Sequence, residues 1–103
     1  MNVSKDKKDD MITFRITGDI DHHSAGTIRE RIDRETMEEK PKRLALDLSG
    51  TDFMDSSGLG LILGRMRKCQ EMDIGFVLLN PTPPILKILR LAGVEKMMEI
   101  QYL

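Results

Sequence analysis

Apolar and polar residues alternate near the start of the chain in the pattern of a β-hairpin. Ile12, Phe14 and Ile16 recur at every second position, which predicts a half-buried strand. Met1 to Ser4 is expected to pair with it as a short edge strand. The charged segment from Lys5 to Asp10 has the composition of a solvated turn, and it is longer than a tight hairpin needs.

Helical and strand-like patterns then alternate along the remainder of the chain. The predicted elements are a helix from the N-cap Ser24 to about Lys40, a strand from Arg43 to Leu48, a helix with the apolar stripe Leu59, Ile62, Leu63 and Met66, a strand from Ile74 to Leu79, a proline-initiated helix that ends at Gly93, and a last short strand within 97–103. Leu61 lies off the stripe of the second helix and is expected to be exposed. The almost unbroken apolar run 74–79 predicts a central strand covered on both faces.

The order β-β-α-β-α-β-α-β predicts the α/β fold class, with a mostly parallel sheet, an N-terminal hairpin strand and helices packed on the sheet. The chain has 103 residues, of which 40% are hydrophobic. That length suffices for one compact core and is too short for two independent domains. We therefore expect a single domain over residues 1–103.

The charge balance and composition argue against several classes of partner. Sixteen basic and seventeen acidic residues give a net charge of −1, and no basic stripe with interleaved aromatic residues is present, so nucleic-acid binding is not expected. No apolar run approaches the ~20 residues that span a bilayer, and the charged N-terminus lacks a signal-peptide core. The lone Cys69 cannot form an intramolecular disulfide, which fits a reducing compartment. We expect a cytoplasmic monomer without membrane contact.

The segment DSSGLG, residues 55–60, carries the most distinctive chemistry. It places two hydroxyls at the start of a predicted helix, where free N–H groups and the helix dipole favour a phosphate. One of the two serines is expected to cap the helix. Gly58 and Gly60 are expected to let the backbone approach a neighbour at the first turn, and Gly64 to permit close packing of the helix.

A serine hydrolase or a metal site would each need residues that the sequence does not supply in a known arrangement. A hydrolase nucleophile lies in Gly-x-Ser-x-Gly, and neither Ser56 nor Ser57 has a glycine two residues earlier. The general base would have to be His22 or His23, whose distance from Ser56 the sequence does not give. The adjacent histidines also lack a spaced third ligand for zinc.

Two phosphate-related alternatives match only partly. The glycines at 58, 60 and 64 lie too far beyond the preceding strand for a dinucleotide-binding fingerprint, and no Gly-Lys-Ser/Thr ending follows. A phospho-aspartate receiver would need paired acids at the end of the first strand and a late lysine, which Asp19, Asp21 and Asp47 do not recognisably provide.

A phosphorylation switch at Ser56 fits these residues best. Phosphorylation would add ~1.5 to 2 negative charges beside Asp55 and near Asp52. If a partner buries the neutral hydroxyl surface, the phosphate imposes desolvation and like-charge repulsion on the complex, whereas the helix start tolerates it in the isolated domain. The modification would then break binding without unfolding the domain.

Two segments carry a resemblance to a known family. Residues 18–23, GDIDHH, and residues 53–65, FMDSSGLGLILGR, resemble the signature segments of STAS-domain anti-sigma factor antagonists, most closely the sporulation antagonists of anti-sigma F factor. The similarity runs from the first strands to about Leu103. Because the second segment is long and specific, it is a stronger signal than any generic glycine pattern.

The resemblance implies a mechanism of partner switching. The unphosphorylated protein would bind an anti-sigma factor that is also an ATP-dependent serine kinase, and so free the sigma factor. Ser56 occupies the phosphoacceptor position of the family, and a PP2C-type phosphatase would restore the unmodified form. The implied partner contacts are Asp21, His22, Asp55, Ser57, Gly58 and Leu61. The protein itself would be no enzyme and would hold neither metal nor cofactor, because ATP and Mg²⁺ belong to the kinase.

Two alternatives to this function and one departure from the family remain. Within the family the alternative is a general-stress antagonist, and outside it a serine-dependent hydrolase. The family usually continues into a further C-terminal helix, whereas this sequence stops at Leu103. We therefore expect apolar residues near Met97, Ile100 and Tyr102 to be exposed.

Overall fold

Strands and helices alternate in the order that the sequence pattern predicts. The computed structural model describes residues 2–103. Its elements are β1 (Asn2–Lys8), β2 (Met11–Thr17), α1 (Ala25–Glu39), β3 (Arg43–Gly50), α2 (Ser56–Glu71), β4 (Gly75–Leu79), α3 (Pro83–Leu91), a short 3-10 helix (Glu95–Met97) and β5 (Glu99–Gln101). The predicted β-β-α-β-α-β-α-β arrangement is confirmed.

The five strands form one sheet in the order β1-β2-β3-β4-β5. β1 pairs with β2 antiparallel, and every other neighbouring pair is parallel. Parallel neighbours need a crossover connection, and α1, α2 and α3 supply these crossovers in turn. The α/β class with a mostly parallel sheet and an N-terminal hairpin strand is therefore confirmed.

The main hydrophobic core lies between one face of the sheet and the three helices. Phe14 and Leu46 from the strands meet Ile28, Ile62 and Leu89 from the helices in one buried cluster. A smaller cluster on the opposite face consists of Ala45, Val77 and Leu79, with Met11 packed against it. Consecutive residues of β4 thus belong to different clusters, which confirms the strand predicted to be buried on both faces.

The extent of the predicted turn at residues 5–10 is wrong. β1 extends through most of this segment, to Lys8. Only Asp9 and Asp10 form the turn, with φ angles of 53° and 63°. Aspartate tolerates this left-handed conformation, which two-residue hairpin turns of type I′ require. Lys5 is paired with Glu35 of α1 at 3.0 Å. Two lysines of this segment, Lys5 and Lys7, therefore pair with acids of a neighbouring helix instead of lying in a solvated loop.

The C-terminal part agrees in most respects with the sequence pattern. Gly93 adopts a left-handed conformation with φ of 73° after α3, as predicted for a helix stop. Met97 and Tyr102 are exposed as expected, whereas Ile100 packs partly against the main core. No helix between residues 2 and 103 has the length and apolar character needed to cross a membrane.

Candidate functional site

Two loops that follow neighbouring parallel strands are joined at one edge of the sheet. The loop after β2 and the loop after β3 pair through Ile20 and Met54, which form an isolated parallel bridge. Ile20 N donates to Phe53 O at 3.1 Å, and Asp55 N donates to Ile20 O at 3.2 Å. The bridge brings the two signature segments of the sequence together.

Asp55 fixes the start of α2 and ties it to the other loop. Its Oδ1 accepts hydrogen bonds from the backbone N–H of Ser57 at 2.8 Å and of Gly58 at 3.3 Å, as an N-cap does. Its Oδ2 accepts from the backbone N–H of His22 at 3.1 Å. The expectation that one of the two serines caps the helix is wrong, because the Asp55 carboxylate takes that role.

Ser56 is the first residue of α2 and is exposed, whereas Ser57 is half-buried. The N–H groups of Ser57 and Gly58, which a phosphate at this helix start would need, already bind Asp55. This corrects the expectation of ready donors for a phosphate. A phosphate on Ser56 would instead meet a neighbouring carboxylate, so the helix start offers it less compensation than the sequence suggests.

Asp21 organises the loop that follows β2. Its Oδ1 accepts hydrogen bonds from the backbone N–H of Ser24 at 3.0 Å and of His23 at 2.9 Å. The bond from Ser24 is the main cause that lowers the pKa of Asp21. Ser24 lies at the N-cap position of α1 as predicted, but its Oγ accepts from Asp21 N at 3.0 Å instead of bonding to the helix. The loop therefore presents an ionised Asp21 and an exposed His22 beside α2.

The glycines of α2 fall into two groups. A Cβ at Gly58 would lie 2.6 Å from Met54 Cβ and 3.1 Å from Ile20 O, so the predicted close approach at this position is confirmed. The close approach predicted for Gly60 and the close helix packing predicted for Gly64 are both wrong, because an added Cβ at either position would meet nothing within 4 Å. Both glycines border an open groove between α1 and α2.

Leu61 is buried, contrary to expectation, with 4% of its surface exposed. It belongs to the main core cluster and also borders the groove between α1 and α2. The apolar arc of α2 is wider than a single stripe because the helix packs against both β4 and α1.

Phe53 is a candidate contact that the sequence reasoning missed. Its side chain is 51% exposed, directly before the buried Met54 and three positions before Ser56. A phenylalanine after an alternating strand is ordinarily expected to enter the core. The available signal was its place at the start of the family segment 53–65.

The geometry gives the hydrolase and metal interpretations no support. The hydrogen bond that His22 makes at this site comes from its backbone N–H and goes to Asp55, not from its ring to a serine. The rings of His22 and His23 lie edge to face at 5.6 Å. Within residues 2–103, no group of three His, Cys, Asp or Glu side chains could hold a metal ion. An exposed hydroxyl among fixed polar loop groups suits modification and docking.

Fold and site together define a STAS domain, and the family model for the STAS domain matches residues 2–102. The chain therefore belongs to the STAS family. An anti-sigma F factor antagonist from Lysinibacillus sphaericus is 37% identical over 82 residues, which cover 80% of this chain and 70% of that protein. An anti-sigma-B factor antagonist from Bacillus subtilis is 26% identical over 102 residues, covering 97% of this chain and 92% of that protein.

Solved structures agree with this assignment. The anti-sigma factor antagonist SpoIIAA in its unphosphorylated form matches with a TM-score of 0.83 and 29% identity over 97% of this chain and 88% of that chain. SpoIIAA in its phosphorylated form matches with a TM-score of 0.76 at the same identity, over 97% of this chain and 91% of that chain. The resemblance drawn from the two signature segments is confirmed.

Proposed function

We propose that this protein is an anti-sigma factor antagonist that works by partner switching. Its unmodified form binds an anti-sigma factor that is also a serine kinase, and so releases the sigma factor. Phosphorylation of Ser56 switches the antagonist off. The observation that carries the proposal is the exposed Ser56 hydroxyl at the start of α2, in a STAS domain that is 37% identical over 82 residues to an anti-sigma F factor antagonist.

The proposed switch acts through charge at a docking surface. Asp55 already presents a carboxylate next to Ser56, and it uses the helix N–H groups that could have compensated a phosphate. A phosphate there leaves uncompensated negative charge that a bound partner would have to desolvate. Phosphorylation therefore destabilises the complex with the partner more than it destabilises the isolated domain.

The proposed partner surface divides into contacts and supports. Asp21, His22 and Ser57 are contacts, because the first is ionised and the other two reach the surface beside Ser56. Leu61 contributes the apolar border of the same surface. Asp55 and Gly58, also implied as contacts, act mainly by positioning, the first through its hydrogen bonds and the second through its close packing on Met54.

The remaining parts of the cycle follow from this proposal. A PP2C-type phosphatase restores the unmodified form, and ATP and Mg²⁺ are held by the kinase. The antagonist acts in the cytoplasm as a monomer, is not an enzyme, and needs neither nucleic acid nor a membrane. The anti-sigma-B relative supports one alternative partner, the kinase of a general-stress system.

The test is a reconstituted reaction with the cognate anti-sigma factor. Incubation with Mg-ATP should add one phosphoryl group, which tryptic mapping places on Ser56. Ser56→Ala should abolish the modification, whereas the matched control Ser57→Ala should retain it. We expect the phosphorylated protein to bind the kinase about 2 kcal/mol more weakly, roughly 30-fold in affinity, by isothermal titration. A phosphoryl group on another residue, or equal affinity of the two forms, would refute the switch.

A further inference from the structure

A groove of about 450 Å³ runs between α1 and α2 and is lined by Ser57, the neighbour of the proposed phosphoacceptor Ser56. Ser57 lines it near Ser56, and Gly64 lines it two helical turns further along α2. The seven helical steps from Ser57 to Gly64 span about 10 Å of helix axis. The groove thus extends from the loops beside Ser56 along the two helices, and its α2 wall lies within the family segment 53–65.

Three glycines line this groove, although no contact within the chain requires a glycine at these positions. Gly26 lies on α1, and Gly60 and Gly64 lie on α2. Glycine destabilises a helix interior relative to alanine, because it loses more backbone entropy on folding. A Cβ at any of the three would meet nothing within 4 Å. The absence of side chains here serves no packing within the domain, but it would let another backbone approach both helices closely.

A buried arginine at the groove carries positive charge and hydrogen-bond donors that the chain does not satisfy. Arg65 lines the groove, is 7% exposed, and places its Nε 2.8 Å from Asp33 Oδ1. Neither its Nε nor its Nη1 has a hydrogen-bond partner in residues 2–103, and both atoms are covered from solvent. Burial lowers the pKa of Arg65, although Asp33 opposes that effect. Buried polar groups are ordinarily paired, so the guanidinium has unmet hydrogen-bonding capacity behind the wall of the groove.

The charge around the groove selects the kind of partner. Arg29 lines the groove and is exposed, and the imidazole of His22 lies at its end. Asp33, the acid nearest Arg65, is already shared between Arg65 and Lys68, at 2.8 and 3.9 Å. The lining of the groove contains two arginines, Arg29 and Arg65, and no acidic residue, so it fits an acidic ligand.

We propose that the groove between α1 and α2 receives an acidic helical segment of the anti-sigma factor. The inference rests on the proposed function and deepens it by naming the partner chemistry. A helix suits the site better than a small anion, because the glycines allow close backbone approach along two turns. Since Ser57 lies at one end of the groove, a phosphate on Ser56 would repel such an acidic segment.

The test uses two substitutions in the groove and a matched control for each. Gly64→Leu fills the groove with a side chain, and Gln70→Leu adds the same side chain at an exposed position later in α2. Arg29→Glu reverses the groove charge, and Arg34→Glu makes the same change elsewhere on α1. Each variant is titrated with the cognate anti-sigma factor kinase in the presence of ADP, and its melting temperature is measured.

We expect Gly64→Leu and Arg29→Glu to weaken kinase binding at least about tenfold, and the two controls to change it less than about twofold. Gly64→Leu should not lower the melting temperature, because the space is open and a helix-favouring residue replaces glycine.

Three outcomes would overturn the proposal that the groove receives an acidic helical segment of the anti-sigma factor. Equal affinity of the groove variants and wild type would overturn it while leaving the Ser56 switch intact. Equal weakening by Arg34→Glu would show that only net charge matters. If the wild-type protein does not bind the kinase, both the groove proposal and the proposed function are wrong.

Discussion

Asp55 performs at the single-residue scale what the sequence pattern assigns to its serine neighbours. A carboxylate accepts hydrogen bonds from the polarised N–H groups of a helix start more strongly than a hydroxyl does. Because Asp55 caps α2, the hydroxyl of Ser56 is not used as the cap, and Ser56 is exposed. One side chain thus starts the helix, holds the His22 loop and supplies the charge that a phosphate would face.

Replacing Asp55 tests this assignment. Asp55→Ala should lower the free energy of unfolding by about 1–2 kcal/mol, because the cap of α2 and the bond to His22 are both lost. Asp55→Asn should recover most of the loss, since asparagine is as good a cap. Urea unfolding measures each value, with the exposed Asp52→Ala as control. Equal losses in Asp52→Ala and Asp55→Ala would show that general charge, not the cap, explains the effect.

The sequence could identify the serine segment but not the capping residue within it. Serine and aspartate have nearly equal preference for the N-cap, so the choice depends on where the helix begins by a single residue. That boundary is set here by the bridge between Ile20 and Met54, which joins segments more than thirty positions apart. Local preference carries no information on such a contact.

At the scale of secondary structure elements, contacts between the hairpin and α1 explain why composition alone predicts too long a turn. Lys5 and Lys7 of β1 pair with Glu35 and Glu39 of α1, and Arg31 reaches back to the carbonyl of Val3. β1 can carry these charges because it is an edge strand and its lysines pair with the acids of α1. Charge on an edge strand also discourages pairing with other chains.

This network predicts a dependence of stability on pH. The hydrogen bond from Arg31, and then that from Lys5, lowers the pKa of Glu35 from its ordinary value of 4.5. A carboxylate with a lowered folded pKa stabilises the fold above its unfolded pKa, and this contribution disappears as the pH falls through the folded value. The free energy of unfolding should therefore decline below about pH 4.5.

A matched pair of variants isolates that contribution. Glu35→Gln should make the decline in unfolding free energy shallower, measured by urea titration at a series of pH values. Glu38→Gln, an exposed neighbour outside the network, should leave the wild-type slope unchanged. The network would not be the cause if both variants kept that slope.

Long periodic elements could be predicted, whereas packing between helices could not. The strands β2, β3 and β4 and all three helices lie close to their predicted positions, because each has a clear hydrophobic period. The predictions for the surroundings of Leu61, Gly60 and Gly64 are wrong for one shared reason. Their surroundings depend on how α1 lies against α2, and no period within a single helix encodes that.

Cys69 offers a measure of how the whole molecule would respond to the proposed phosphorylation of Ser56. It lies near the end of α2, the helix that starts at Ser56, and is buried in the main core. Burial raises the pKa of its thiol to about 11, so the folded protein presents little reactive thiolate at neutral pH. Because the chain contains one cysteine, labelling by a thiol reagent reports on the opening of this core alone.

A switch that acts by charge at a surface should leave that core closed. We therefore expect the rate of Cys69 labelling at neutral pH to be the same in the phosphorylated and unmodified proteins, while kinase binding differs. Urea serves as the positive control, because it should accelerate labelling of both forms. Faster labelling of the phosphorylated form would mean that the phosphate loosens α2, and that binding is lost through local unfolding instead of repulsion at the docking surface.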